Sequence, residues 1–188
     1  MTGRGLEPLD LDRHLDLVHA WVTHPRSVYW EMQGASVEDV RSEYTAIAAN
    51  PHHEALIGTV DGRPAFLVER YAPAHSELAE HLVPTAGDVG MHVLVAPPAE
   101  GAAPVSGWTD AIFAAVMSWL FADPTVDRVV VEPDVRNEAI RAKNVAAGFV
   151  ELREIELPSK TAMLSTCDRE AFAASRLATA PGGDRALV

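Results

Sequence analysis

Apolar and polar positions alternate along the chain in patterns that define its elements. Residues 11–22, LDRHLDLVHAWV, place Leu11, Leu15, Val18 and Val22 on one helical face, and Pro25 bounds that helix. A second helix opens at Ser36, with Asp39 three residues on as a capping-box variant. Val37, Val40, Tyr44 and Ile47 form its apolar stripe, and Asn50-Pro51 closes it. EALIGTV and RPAFLVERY flank Asp61-Gly62 and predict a β-hairpin. A polar loop covers 72–87, and DVGMHVLV, apolar on both faces, predicts a central strand. The Pro/Gly/Ala loop 97–107 leads into a helix over about 108–122, with Ile112, Ala115, Val116, Trp119 and Leu120 on its core face. A strand over 127–133 and a helix over 137–147 ending at Gly148 follow. FVELREIEL and TAMLSTC predict a closing antiparallel pair, and DREAFAASRLA a short terminal helix. The order α α β β β α β α β β predicts one α/β (α+β) domain, a central mixed sheet flanked by helices. That domain is expected over 11–172, after an extension at 1–10 and before a flexible tail at 173–188, whose last ten residues are expected to be disordered.

With 188 residues, 48% of them hydrophobic, the chain can bury a substantial core. The formal net charge of −12 argues against nucleic acid as partner, because no basic stripe is present to neutralise phosphates. Cys167 is the single cysteine, which excludes an internal disulfide and suits a reducing cytoplasm. The opening MTGRGLEPLDLDRH has no apolar signal core, and no run of 18 apolar residues exists. A cytoplasmic protein with no membrane partner is the expectation. The seven histidines besides His92 show no metal-ligand spacing, so no metal is expected.

Four places carry candidate chemistry. The first is the strand–loop–helix at 89–122, where a helix N-terminus offers unpaired N–H groups to an anion such as a pyrophosphate. An ordinary strand–helix connection would look the same. The second is His92, whose imidazole in a central apolar strand demands a hydrogen-bond partner. It is either a satisfied core histidine or a catalytic one. The third is the pair Glu132 and Asp134, at the strand end where ligands bind in α/β sheets. If the strands at 91–96 and 128–133 are parallel neighbours, His92 and Glu132 can face one cleft. Glu132 reads alternatively as a solvated strand terminus, and Asp134 as a cap near the helix starting at Asn137. The fourth is VYWEM, where Tyr29, Trp30 and Met32 either line a pocket or cover the core. Cys167 reads as core filler.

Over roughly residues 8–170 these pieces together resemble the GNAT superfamily of acyl-CoA-dependent N-acyltransferases. EPDVRNEAIRAKNVAAGF is similar to its D-P-x-x-x-N-x-x-A-I…G-F segment, with Glu132 in place of Asp, and GDVGMHVLV to its acyl-CoA strand. More narrowly, GDVGMHVLVAP, EPDVRN, VYWEM and ELPSKTAMLSTCDREAF resemble siderophore-pathway acyltransferases, which act on N-hydroxylysine, N-hydroxycadaverine or a lysine side chain in mycobactin-type assembly. The resemblance implies transfer of an acetyl or succinyl-type group from acetyl-CoA or succinyl-CoA to an N-hydroxylated diamine or N-hydroxylysine, with no metal. It implies catalytic roles for His92 and Glu132, with Asp134 beside them. Val93, Leu94, Val95, Ser106, Gly107, Trp108, Thr109 and Asn137 would hold acyl-CoA. Trp30, Met32, Glu69 and Tyr71 would meet the amine, an acid such as Glu69 or Asp134 attracting its distal ammonium. Two departures stand out: PVSGWTDA keeps one glycine of the usual Arg/Gln-x-x-Gly-x-Gly loop and no arginine, and Asn144 stands where many relatives have a tyrosine acid. An aminoglycoside or polyamine acetyltransferase, or a non-catalytic acyl-CoA-binding module, fits the same pattern.

Overall fold

The computed structural model describes residues 4–98, 101 and 105–179. Residues 180–188 of the expected flexible tail, and parts of the expected extension and Pro/Gly/Ala loop, lie outside the described residues. The elements are β1 (Arg4–Pro8), α1 (Leu11–Val22), α2 (Val37–Ala49), β2 (His53–Val60), β3 (Arg63–Tyr71), β4 (Asp88–Val95), α3 (Trp108–Ala122), β5 (Arg128–Val131), α4 (Glu138–Ala146), β6 (Val150–Glu156), β7 (Thr161–Asp168), α5 (Arg169–Ala173) and α6 (Arg176–Thr179). Seven strands form one sheet in the order β1-β2-β3-β4-β5-β7-β6. It is mixed: β4 and β5 run parallel, while β1–β2, β5–β7 and β6–β7 are antiparallel.

Local chemistry sets most boundaries. The Ser36 hydroxyl accepts from the Asp39 amide and the Asp39 carboxylate accepts from the Ser36 amide, so both halves of the capping box form. The hairpin turn carries positive φ at Asp61 and Gly62, 51° and 72°, as a tight β-hairpin requires. Asn137 caps α4 through its side-chain oxygen, which accepts from Ile140 N at 3.3 Å.

Two segments differ from the sequence pattern. Residues 4–8, assigned above to an extension, form β1 and pair with β2 from Arg4↔Val60 to Pro8↔Leu56. Residues 173–179, placed in the tail although DREAFAASRLA predicts a helix through 178, hold the end of α5 and all of α6, with Leu177 buried. Helix α3 buries Ile112 through Met117 without a break, more than one face, while Trp119 is only half-buried.

The chain divides into two compact units. The first runs up to Arg70 and includes His92–Ser106. Its core joins Leu15, Val18 and Val22 of α1 to Val40, Tyr44 and Ile47 of α2, and to Ile57, Leu67 and Leu94 from the strands. The second takes Tyr71–Met91 and the residues from Gly107 on, with Leu78, Val130, Ile155, Ala162 and Leu164 among its core. Cys167 on β7 is buried there, its Sγ 3.5 Å from Ala147 O.

Candidate active site

In the first unit, three elements bring polar side chains to one carboxylate on a fourth. Glu69, on β3, is 7% exposed despite its charge. Its Oε2 accepts from His92 Nδ1 at 2.8 Å, and Oε1 accepts from the Tyr44 hydroxyl at 3.1 Å. His53, at the start of β2, places Nε2 3.6 Å from the same Oε2. Trp30, at the end of a 3₁₀ turn over Pro25–Trp30, donates from Nε1 to the Tyr44 oxygen at 3.1 Å. Its ring also stands edge-on to His92, with centroids 6.2 Å apart. Burial alone would push the Glu69 pKa up; the His92 hydrogen bond and the nearby His53 imidazole outweigh it and bring it down to about 2. Glu69 is therefore a carboxylate at every physiological pH. The Tyr44 pKa moves the other way, raised by burial and by the Glu69 charge. The His92 side chain, by contrast, is 36% exposed, so a small molecule can reach a ring held from behind by Glu69.

In the second unit, Glu132 follows the last residue of β5 and is 6% exposed. The Tyr71 hydroxyl donates to its Oε2 at 2.7 Å. Gly90 on β4 makes this possible, since a Cβ there would lie 2.1 Å from Tyr71 ring carbons. Asp134 has a different occupation. Its carboxylate takes the Arg136 amide and guanidinium at 2.5–3.1 Å, which holds its pKa at about 2 against burial. Asp134 thus braces the turn into α4, and Asn137, not Asp134, caps that helix.

The structure brings His92 to Glu69 and Glu132 to Tyr71. The β4–β5 ladder covers Asp88–Gly90 against Arg128–Val130, so the expected parallel pairing is present and His92 lies beyond its last pair. Val93 and Val95 are half-buried on β4, and Leu94 belongs to the first core. Ser106 and Gly107 are exposed, Trp108 and Thr109 half-buried. Gly107 precedes α3 with φ 75° and brings no capping side chain, which leaves the first-turn amides of α3 uncapped by it. Asp110 in that turn is paired with Lys143 and, at 3.7 Å, with Arg176. Met32 packs on the first core. Among the described residues no group of three or more His, Cys, Asp or Glu side chains is arranged for a metal, and no helix is long and apolar enough to cross a membrane.

Tyr44 and His53 were not singled out from sequence. The signal was Glu69 itself, an acid inside the apolar run AFLVERY, which needs partners as much as His92 does.

Asn144, on α4, is 2% exposed, and its Oδ1 has no hydrogen-bond partner among the described residues. Such an acceptor costs on the order of 1–3 kcal/mol. Asn144→Leu, similar in shape, is expected to raise Tm by a few degrees. An unchanged or lower Tm in a thermal melt would show that the amide is satisfied in solution.

The Acetyltransferase (GNAT) domain family matches residues 10–157, and the chain belongs to it. N(6)-hydroxylysine O-acetyltransferase of Escherichia coli is 28% identical over 153 residues, 81% of this chain and 48% of that protein. The chain therefore spans about half the length of that relative. N-hydroxyputrescine acetyltransferase of Acinetobacter baumannii is 25% identical over 91% of this chain and 80% of its own. Lysine N-acyltransferase MbtK of Mycobacterium sp. is 25% identical over 87% and 66%. A solved Bacillus halodurans protein of uncharacterised function superposes with a TM-score of 0.83 at 24% identity, over 93% of this chain and 88% of that one. The aminoglycoside acetyltransferase AAC(6')-Ib with ribostamycin and coenzyme A superposes at 0.78 with 21% identity, over 93% and 98%. These likenesses establish the fold.

Proposed function

We propose that the chain is an acyl-CoA-dependent N-acyltransferase of hydroxamate siderophore biosynthesis. It transfers an acetyl or succinyl-type group to N-hydroxycadaverine, N-hydroxylysine or a close analogue. The observation that carries this reading is His92: an accessible imidazole whose Nδ1 is fixed on a buried carboxylate. Family membership and the relatives on N-hydroxylysine and N-hydroxyputrescine support the substrate class. We place the chain in the cytoplasm, where a lone buried thiol stays reduced.

The chemistry matches these groups. In the reaction a C–N bond forms and the thioester C–S bond breaks; one proton leaves nitrogen, and sulfur departs with the electron pair and gains one. A hydroxylamine is less basic than an alkylamine, so its nitrogen is largely neutral near pH 7 and needs a base only as the bond forms. His92 takes that proton, and Glu69 stabilises the imidazolium. Glu132, held by Tyr71, acts on the amine as the family resemblance implies. Its greater burial makes His92 the more accessible base. Asp134, occupied by Arg136, serves as a brace. Acyl-CoA supplies the activated acyl group, with Ser106, Gly107, Trp108, Thr109 and the uncapped start of α3 suited to its pyrophosphate.

Thiol release with N-hydroxycadaverine, N-hydroxylysine, their unhydroxylated parents and an aminoglycoside tests the proposal. The hydroxylated amines are expected to give the higher kcat/KM at pH 7. Equal values for hydroxylated and parent amines, or a preference for the aminoglycoside, would overturn the substrate class. CoA binding without turnover on any amine would leave a binding module.

A further inference from the structure

We propose that a one-way hydrogen-bond relay from Trp30 through Tyr44 and Glu69 fixes the tautomer of His92, with the proton on Nδ1 and the acceptor lone pair on Nε2. Glu69 and Tyr44 are then positioning residues. The catalytic meaning of this arrangement rests on the function proposed above; the tautomer itself does not.

The direction follows from donor chemistry. An indole N–H only donates. Trp30 Nε1 points at the Tyr44 oxygen, 3.1 Å away, so that oxygen accepts and the Tyr44 hydrogen must turn elsewhere. Its remaining partner is Glu69 Oε1 at 3.1 Å. An ionised carboxylate only accepts, so Oε2 requires a hydrogen on His92 Nδ1, 2.8 Å away. In a neutral imidazole the other nitrogen is then the acceptor. Trp30 closes the loop by packing its ring against His92. The titratable groups facing Glu69 are Tyr44 from α2, His53 from β2 and His92 from β4. His53 stands 3.6 Å from the same oxygen without replacing the shorter His92 contact.

The relay makes Glu69→Gln an informative change. Tyr44 still donates, so it draws the amide oxygen of the glutamine to its own side. The amide NH₂ then faces His92 Nδ1 and donates to it. Nδ1 becomes the acceptor and Nε2 acquires the hydrogen, so the ring can no longer take a proton from substrate. Glu69→Asp keeps an acceptor-only group.

Nitrogen-15 NMR of the histidine rings, at a pH where they are neutral, reads the tautomer directly. The wild type is expected to show His92 protonated on Nδ1, and Glu69→Gln to show it on Nε2. Glu69→Gln should lower kcat/KM on N-hydroxycadaverine by about 10²-fold. Glu69→Asp should retain the wild-type tautomer and recover part of that loss. An Nε2–H tautomer in the wild type, or a folded Glu69→Gln protein that keeps Nδ1–H, overturns the relay. If Glu69→Gln does not fold, the wild-type spectrum alone decides. A wild type with Nδ1–H but no turnover on any hydroxylated amine sinks the proposed function and leaves the relay standing.

Discussion

His92→Ala and His92→Asn are expected to lower kcat/KM on a hydroxylated amine by about 10²–10⁴-fold, the range of a lost general base, with CoA affinity unchanged. The two substitutions separate chemistry from packing. Alanine leaves Glu69 without its shortest contact, and a buried acceptor deprived of its donor costs on the order of 1–3 kcal/mol, more for a charged group. His92→Ala should therefore also melt early. Asparagine can still donate an N–H toward Glu69, so His92→Asn should melt closer to the wild type yet remain inactive, since an amide is no base at neutral pH. Calorimetric CoA titration, thermal melting and kcat/KM on both proteins check this. A His92→Asn protein turning over at the wild-type rate would reduce the imidazole to a structural part.

Glu132→Gln is expected to lower kcat by on the order of 10²–10³ while leaving the fold intact. The glutamine carbonyl can still accept from the Tyr71 hydroxyl, so the 2.7 Å contact survives and only the charge is lost. Tyr71→Phe does the reverse. It keeps the charge and removes its donor, which should cost about 1.5–3 kcal/mol in stability and less in rate. Stability and kcat should thus move independently in the two variants. If Glu132→Gln retains kcat while Tyr71→Phe melts early, the pair is a structural tie and not part of the chemistry.

What the sequence disclosed and what it hid divides along locality. Helix α1, the Ser36–Asp39 box and the Asp61-Gly62 turn depend on residues within a few positions of one another, and the pattern shows them. Strand β1 was missed because RGLEP carries a glycine, a proline and only five residues; its pairing with β2 stabilises it, and that partner lies some fifty residues on. Helix α6 lies within the helix that DREAFAASRLA predicts; the break at 174–175 that separates it from α5 is what the pattern did not show. The site follows the same division. His92 and Glu132 stood out as polar groups at the wrong places in apolar strands. The pairings that hold them did not, although the resemblance pointed to Glu69 and Tyr71. Glu69 pairs with a histidine 23 positions away, Glu132 with a tyrosine 61 positions away, and Tyr44 looked like one more ring on an apolar stripe. Its hydroxyl matters only once α2 is laid against β3. Asp134, as conspicuous in sequence as Glu132, is held locally by Arg136 two residues on.

The burial of Cys167 has a practical consequence. Reagents that count thiols, aromatic disulfides among them, react with thiolates. Burial, with the Asp168 charge beside it, pushes the Cys167 thiol up to about 12, and the side chain is 1% exposed. The folded protein therefore carries its only sulfhydryl in a form such reagents do not see. In an assay of the proposed acyl transfer, colour then counts released coenzyme with no background from the folded chain, while a slow extra equivalent per chain marks unfolding.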